Sequence, residues 1–126
     1  MARADILLVD DDPDIRAAVR LALEIEGYTV AVAADGREAW TRLHAEPPPR
    51  LILLDIMMPV MDGPEFLRLL RRDHELRAVP VVLVTAFGAT SRAAALAGET
   101  QGCLAKPVDL DELIEVAAMH CRGSRG

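Results

Sequence analysis

Ile6-Leu7-Leu8-Val9 runs straight into Asp10-Asp11-Asp12-Pro13, and this stretch decides the fold. Four consecutive aliphatic residues suit a short strand buried on both faces, and the carboxylates that follow mark its exit. The same change from apolar to reactive recurs three times. Leu51-Ile52-Leu53-Leu54 leads into Asp55, Val81-Val82-Leu83-Val84 into Thr85, and Cys103-Leu104-Ala105 into Lys106-Pro107. In an open parallel sheet, ligand chemistry gathers outside the carboxyl ends of the strands. The four ends are therefore expected to converge on one pocket, where three carboxylates, a hydroxyl and an ammonium suit a divalent cation and a phosphoryl group.

Five apolar segments alternate with helical patterns, the signature of a parallel α/β sheet wrapped by helices on both faces. Strands are expected near 5–9, 29–33, 51–54, 80–84 and 102–105. Ile15, Ala18, Val19, Ala22 and Leu23 recur at helical spacing, with Pro13 in a first-turn position and Gly27 as a stop, so the first helix spans about 13–26. A second helix, about 36–45, lies between Asp35-Gly36 and Pro47-Pro48-Pro49. The third begins near Gly63-Pro64 and is expected to bury Phe66, Leu69 and Leu70. A short Ala-rich helix is expected within 90–97, and the last places Leu110, Leu113, Ile114, Ala117 and Cys121 on one stripe. Residues 1–122 are read as one domain and 123–126 as a flexible tail.

With 126 residues the chain can bury roughly two-thirds of its unfolded surface without staples. It is 52% hydrophobic but only 3% aromatic, which means an aliphatic core. A formal net charge of −6 argues against nucleic acid or an anionic membrane as a partner. The two cysteines, Cys103 and Cys121, do not have metal-ligand spacing, and neither a signal peptide nor a membrane-length apolar run is evident. A reduced, cytoplasmic setting is the expectation.

Asp12 reads as the N-cap of a helix whose first residue is Pro13. Asp10 and Asp11 differ, because they repel one another and a nearby Asp55 by about 3 kcal/mol per pair at ~5 Å and an effective dielectric near 20. Lys106 alone does not compensate this, whereas a hard cation with oxygen ligands, Mg²⁺, does. An Asp carboxylate beside a cation can attack phosphorus and carry an aspartyl phosphate. Such a transfer needs positioning and charge neutralisation, and Thr85 and Lys106 could supply part of both.

In order and spacing these residues resemble the response-regulator receiver domain of bacterial two-component signalling, from Ile6 to about Cys121. The matching residues are Asp10-Asp11, Asp55 within Leu53-Leu54-Asp55-Ile56-Met57-Met58-Pro59-Val60-Met61-Asp62-Gly63, Thr85-Ala86, and Lys106-Pro107. The resemblance implies a flavodoxin-like, doubly wound five-stranded parallel sheet in the order 2-1-3-4-5 with five helices. It implies a signalling domain rather than an enzyme, in which Asp55 takes phosphate from a phosphohistidine of a sensor kinase or phosphotransfer protein and the domain then switches a downstream effector or output domain. By the same resemblance Asp11 and Asp55 ligate Mg²⁺, the Met57 carbonyl is a third protein ligand, and Asp10 acts largely through water. Thr85, Ala86 and Lys106 bind and report the phosphoryl group. Met57 and Phe87 flank the path of attacking water, so a long-lived aspartyl phosphate is expected.

Two positions depart from the family pattern. Cys103 stands where the family usually carries a Tyr or Phe switch, and Phe87 is the residue expected to take over part of that role. The glycines in 98–102 are also out of the usual register. Two other readings stay open: a binding module with the same fold that is not phosphorylated, and an Asp-nucleophile phosphatase using Asp10 and Asp12. Met1 reads as a true N-terminus, of either a single-domain regulator or the front of a longer protein. His44, His74 and His120 read as structural histidines, and Trp40 as packing.

Overall fold

Each apolar run becomes a strand. In the computed structural model, which describes residues 4–56, 63–85 and 100–121, the strands are β1 (Ile6–Val9), β2 (Val30–Ala33), β3 (Leu51–Asp55), β4 (Val81–Thr85) and β5 (Gly102–Ala105). The described helices are α1 (Pro13–Ile25), α2 (Gly36–Ala45), α3 (Gly63–Arg72) and α4 (Leu110–His120). The helix expected within 90–97 lies outside the described residues.

All pairings are parallel, in the order β2-β1-β3-β4-β5. Alternation along the strands divides the core into two layers. Leu7, Val9, Ile52, Leu54, Val81 and Leu83 pack with α2 and α3 through Leu43, Phe66, Leu67 and Leu70. Ile6, Leu8, Leu51, Leu53, Val82, Val84 and Leu104 pack on the other face with Val19 and Leu23 of α1 and Leu113 and Ala117 of α4.

Local chemistry sets the helix ends. The Asp12 carboxylate accepts from the N–H groups of Asp14 and Ile15 at 2.9 and 3.3 Å, satisfying donors that a first turn leaves unpaired. At the other end of α1, Gly27 adopts φ 97°, where a side chain would be strained. There Gly27 N donates to Glu24 O and Tyr28 N to Leu23 O, a Schellman closure that turns the chain back toward β2. Asp35 caps α2 through Glu38 N at 2.9 Å. The extended Glu46, followed by Pro47, ends that helix.

One packing expectation is corrected, and two apolar stripes prove only partly buried. In α3 the buried residues are Phe66, Leu67 and Leu70, with Leu69 only half-buried. At 100° per residue Leu67 and Leu70 lie on one side of Phe66, and Leu69 falls on the opposite flank, toward the rim. Ala18 is exposed and Ile15 and Ala22 are half-buried, because only Val19 and Leu23 of α1 point squarely at the sheet. Leu110, placed on one stripe of α4 with Leu113 and Ala117, is 49% exposed at the first position of that helix. No described helix is long and apolar enough to cross a membrane.

Candidate functional site

Strand register builds the site. Val9 lies opposite Leu54, and Asp55 lies opposite Val84, so Asp10 and Asp55 leave neighbouring strands at the same height. Thr85 ends β4 opposite Ala105, and the next residue on that edge is Lys106. One carboxylate oxygen from each of Asp10, Asp11 and Asp55 falls within a 4.8 Å cluster. Asp10 and Asp55 are buried and Asp11 is exposed.

Asp10 is held on three sides. Its N–H donates to Ala33 O at 3.1 Å, and its carbonyl accepts from Arg16 Nη1 at 2.7 Å. Its Oδ1 accepts from Asp12 N at 2.9 Å. This leaves Oδ2 pointing into the cluster, where among the described residues it accepts no hydrogen bond. Lys106 Nζ stands 3.2 Å from that oxygen, near enough for an ion pair but without hydrogen-bond alignment. The same ammonium donates to Asp55 Oδ2 at 3.3 Å. Partial burial pulls the Lys106 pKa down, but the charges of Asp55 and Asp10 outweigh it and hold the ammonium above the ordinary lysine value.

Three carboxylates against one ammonium leave a formal charge of −3 + 1 = −2 in a pocket with a buried oxygen that accepts no hydrogen bond among the described residues. A divalent cation with oxygen ligands fits both the charge and the donors, and the donor set contains no imidazole or thiolate that would favour zinc. Beside the cluster, Lys106 also lines a groove of about 190 Å³ between α1 and the start of α4, with Ile15, Ala18, Val19, Val108 and Leu110.

Of the residues expected at the site, Asp10, Asp11, Asp55 and Lys106 are brought together. Asp12 is turned to the helix cap. Pro107 follows Lys106 through a cis peptide and borders the groove. Cys103 is exposed on β5. Met57, Ala86 and Phe87 lie outside the described residues, and of Thr85 only the backbone is described. Arg16 was not foreseen: a helical arginine three residues past Pro13 reads as solvated, and nothing local shows that it reaches back to Asp10.

The fold and pocket define a receiver-type signalling domain: a doubly wound parallel sheet with an acidic cluster and a lysine at its carboxyl edge. The chain belongs to the response regulator receiver domain family of two-component systems, whose pattern matches residues 6–118. It is 40% identical over 122 residues to a 14.6 kDa protein from the sodA1 3′ region of Leptolyngbya boryana, covering 96% of this chain and 92% of that protein. It is 44% identical over 112 residues to response regulator Rre1 of Synechocystis, covering 86% of this chain. The chain spans 47% of Rre1. Among solved structures, the chemotaxis protein CheY4 of Vibrio cholerae superposes with a TM-score of 0.84 at 31% identity, covering 94% of this chain and 99% of that one.

Proposed function

We propose that Asp55 accepts a phosphoryl group from a phosphohistidine of a sensor kinase or phosphotransfer protein, and that the acyl phosphate alters what the domain binds downstream. The observation that carries this reading is the placement of buried Asp55 beside Asp10, Asp11 and Lys106. A carboxylate oxygen of Asp55 attacks phosphorus, an O–P bond forms, and the P–N bond breaks with its electron pair returning to the donor imidazole. Lys106 stays protonated throughout, and its ammonium, 3.3 Å from Asp55 Oδ2, would offset the negative charge of the incoming phosphoryl group.

Asp11 and Asp55 would hold Mg²⁺ directly, Asp10 largely through water, and the Met57 carbonyl would complete the protein ligands. When bound, the ion supplies charge neutralisation for the phosphoryl oxygens. Thr85, which ends β4, and Ala86 are the proposed contacts that bind the phosphoryl group and report it, with Phe87, Cys103 and Pro107 as modulators. The engagement of Asp12 as a helix cap supports this reading over a phosphatase that would need it as an acid.

The test is incubation with a small acyl-phosphate donor and Mg²⁺, followed by intact-mass analysis. Wild type should gain one phosphate and Asp55→Asn none. Equal labelling of Asp55→Asn would show that the assigned nucleophile is wrong. Loss of label in Asp10→Asn alone would favour the phosphatase. No label on wild type from either an acyl phosphate or a phosphohistidine donor would favour an unphosphorylated binding module.

A further inference from the structure

At the end of the molecule remote from the acidic pocket, two acceptors face the two nitrogens of one imidazole. His44 Nδ1 lies 2.8 Å from the carbonyl oxygen of Trp40, and Nε2 lies 2.8 Å from Asp73 Oδ2. A neutral imidazole has one N–H and one lone pair, so it can satisfy only one of these oxygens and turns a lone pair toward the other. We propose that His44 is a proton-operated tie between α2 and the segment that follows α3, closed when the ring is an imidazolium and half-released when it is neutral.

Both ends of the tie are anchored. Asp73 Oδ1 accepts from Glu75 N at 2.9 Å and Leu76 N at 3.2 Å, which fixes the turn that carries the carboxylate. That turn leads into Leu76 and Val79, both buried in the α2–α3 layer. On the other side, the Trp40 ring lies 4.4 Å from the His44 ring and meets Phe66 edge-on at 6.3 Å. Protonation of His44 therefore joins a surface ion pair to the core of the α2–α3 interface.

The surroundings favour the proton. Among the described residues, the charged groups that bear on the ring are Asp73 and Glu75, both acidic and both from the segment after α3. On α2 the neighbouring cation, Arg42, is engaged with Glu46 at 3.1 Å. From α3, Arg71 donates to the carbonyls of Arg77 and Val79. His44 lies in the last turn of α2, where the helix dipole favours a cation. The Trp40 carbonyl first, then Asp73, hold the ring above the ordinary histidine value of 6.5, while His44 holds Asp73 below the usual carboxylate range. Because the folded pKa is raised, the tie contributes fully below about 6.5 and is lost as pH rises through the higher folded value.

Trp40 is the single tryptophan of the chain and its ring lies 4.4 Å from that of His44, so its fluorescence reports on the state of His44. An imidazolium quenches a neighbouring indole. Wild-type emission should rise with pH at a midpoint above 6.5, the midpoint should fall in Asp73→Asn, and His44→Gln should show no transition. Amide exchange at Leu76 and Val79, corrected for intrinsic pH dependence, should accelerate several-fold above the midpoint in wild type only. A wild-type midpoint at or below 6.5 overturns the proposal, as does exchange at Leu76 and Val79 that ignores the titration. The wild-type measurements stand even if a variant fails to fold.

Discussion

Replacing Lys106 with Met keeps the aliphatic stem and removes the cation from a pocket that holds three carboxylates. Nζ lies 3.2 Å from Asp10 Oδ2 and 3.3 Å from Asp55 Oδ2. At an effective dielectric near 20, each contact carries about 5 kcal/mol of gross Coulomb energy. The desolvation of the ammonium opposes that attraction, and removing one partner of a buried pair leaves a net deficit of roughly 3–5 kcal/mol. Lys106 keeps 18% of its side-chain surface in solvent, which places the expectation at the lower end. A loss of about 3 kcal/mol corresponds to a melting temperature roughly 10 °C lower in a domain of this size.

The deficit should also depend on pH. On the alkaline side the raised pKa of Lys106 keeps its contribution intact below the ordinary 10.5, to be lost as pH climbs through the higher folded value. Urea unfolding without divalent cations, for both proteins at each pH, measures this. A deficit below about 1 kcal/mol at neutral pH, or one that does not shrink as pH climbs well above 10.5, would refute the claim that Lys106 neutralises this cluster.

Mg²⁺ at millimolar concentration should raise the melting temperature of wild type, since a ligand that binds only the folded state stabilises it by mass action. Asp11→Ala should lose that shift and, without the ion, should be as stable as wild type or more so, because one member of the repelling set is gone; an undiminished Mg²⁺ shift in the variant would remove Asp11 from the site. Alkylation at about pH 8 should modify exposed Cys103 in the native protein and spare Cys121, whose thiol is pushed up to about 11, chiefly by burial. Cys121 should react once urea unfolds the chain, and equal native rates at both thiols would contradict the packing of α4 described above.

The local parts of this structure were legible in the chain itself. Apolar runs became strands because buried backbone must pair and their side chains must leave water, and α1 begins where Asp12 and Pro13 meet because a first turn needs an acceptor and tolerates a missing N–H. The residues of the pocket were legible for a related reason: a charge at the end of a buried run has nowhere to go but the sheet edge. Periodicity alone did not separate Leu67 from Leu69, or buried Leu113 from exposed Leu110, because a helix pattern shows which residues share a face but not what lies against it.

Tertiary structure alone decided the long-range pairs. Lys106 meets Asp55 across 51 residues of chain, and His44 meets Asp73 across 29. Sequence order marked the first pair, because both residues end strands and parallel register brings strand ends together. No such mark identified the second pair, in which a helical histidine and a loop aspartate meet only because α2 and α3 pack side by side on one face of the sheet. Which lone pair faces which proton is set by that packing, at distances of a few ångströms that no one-dimensional pattern encodes.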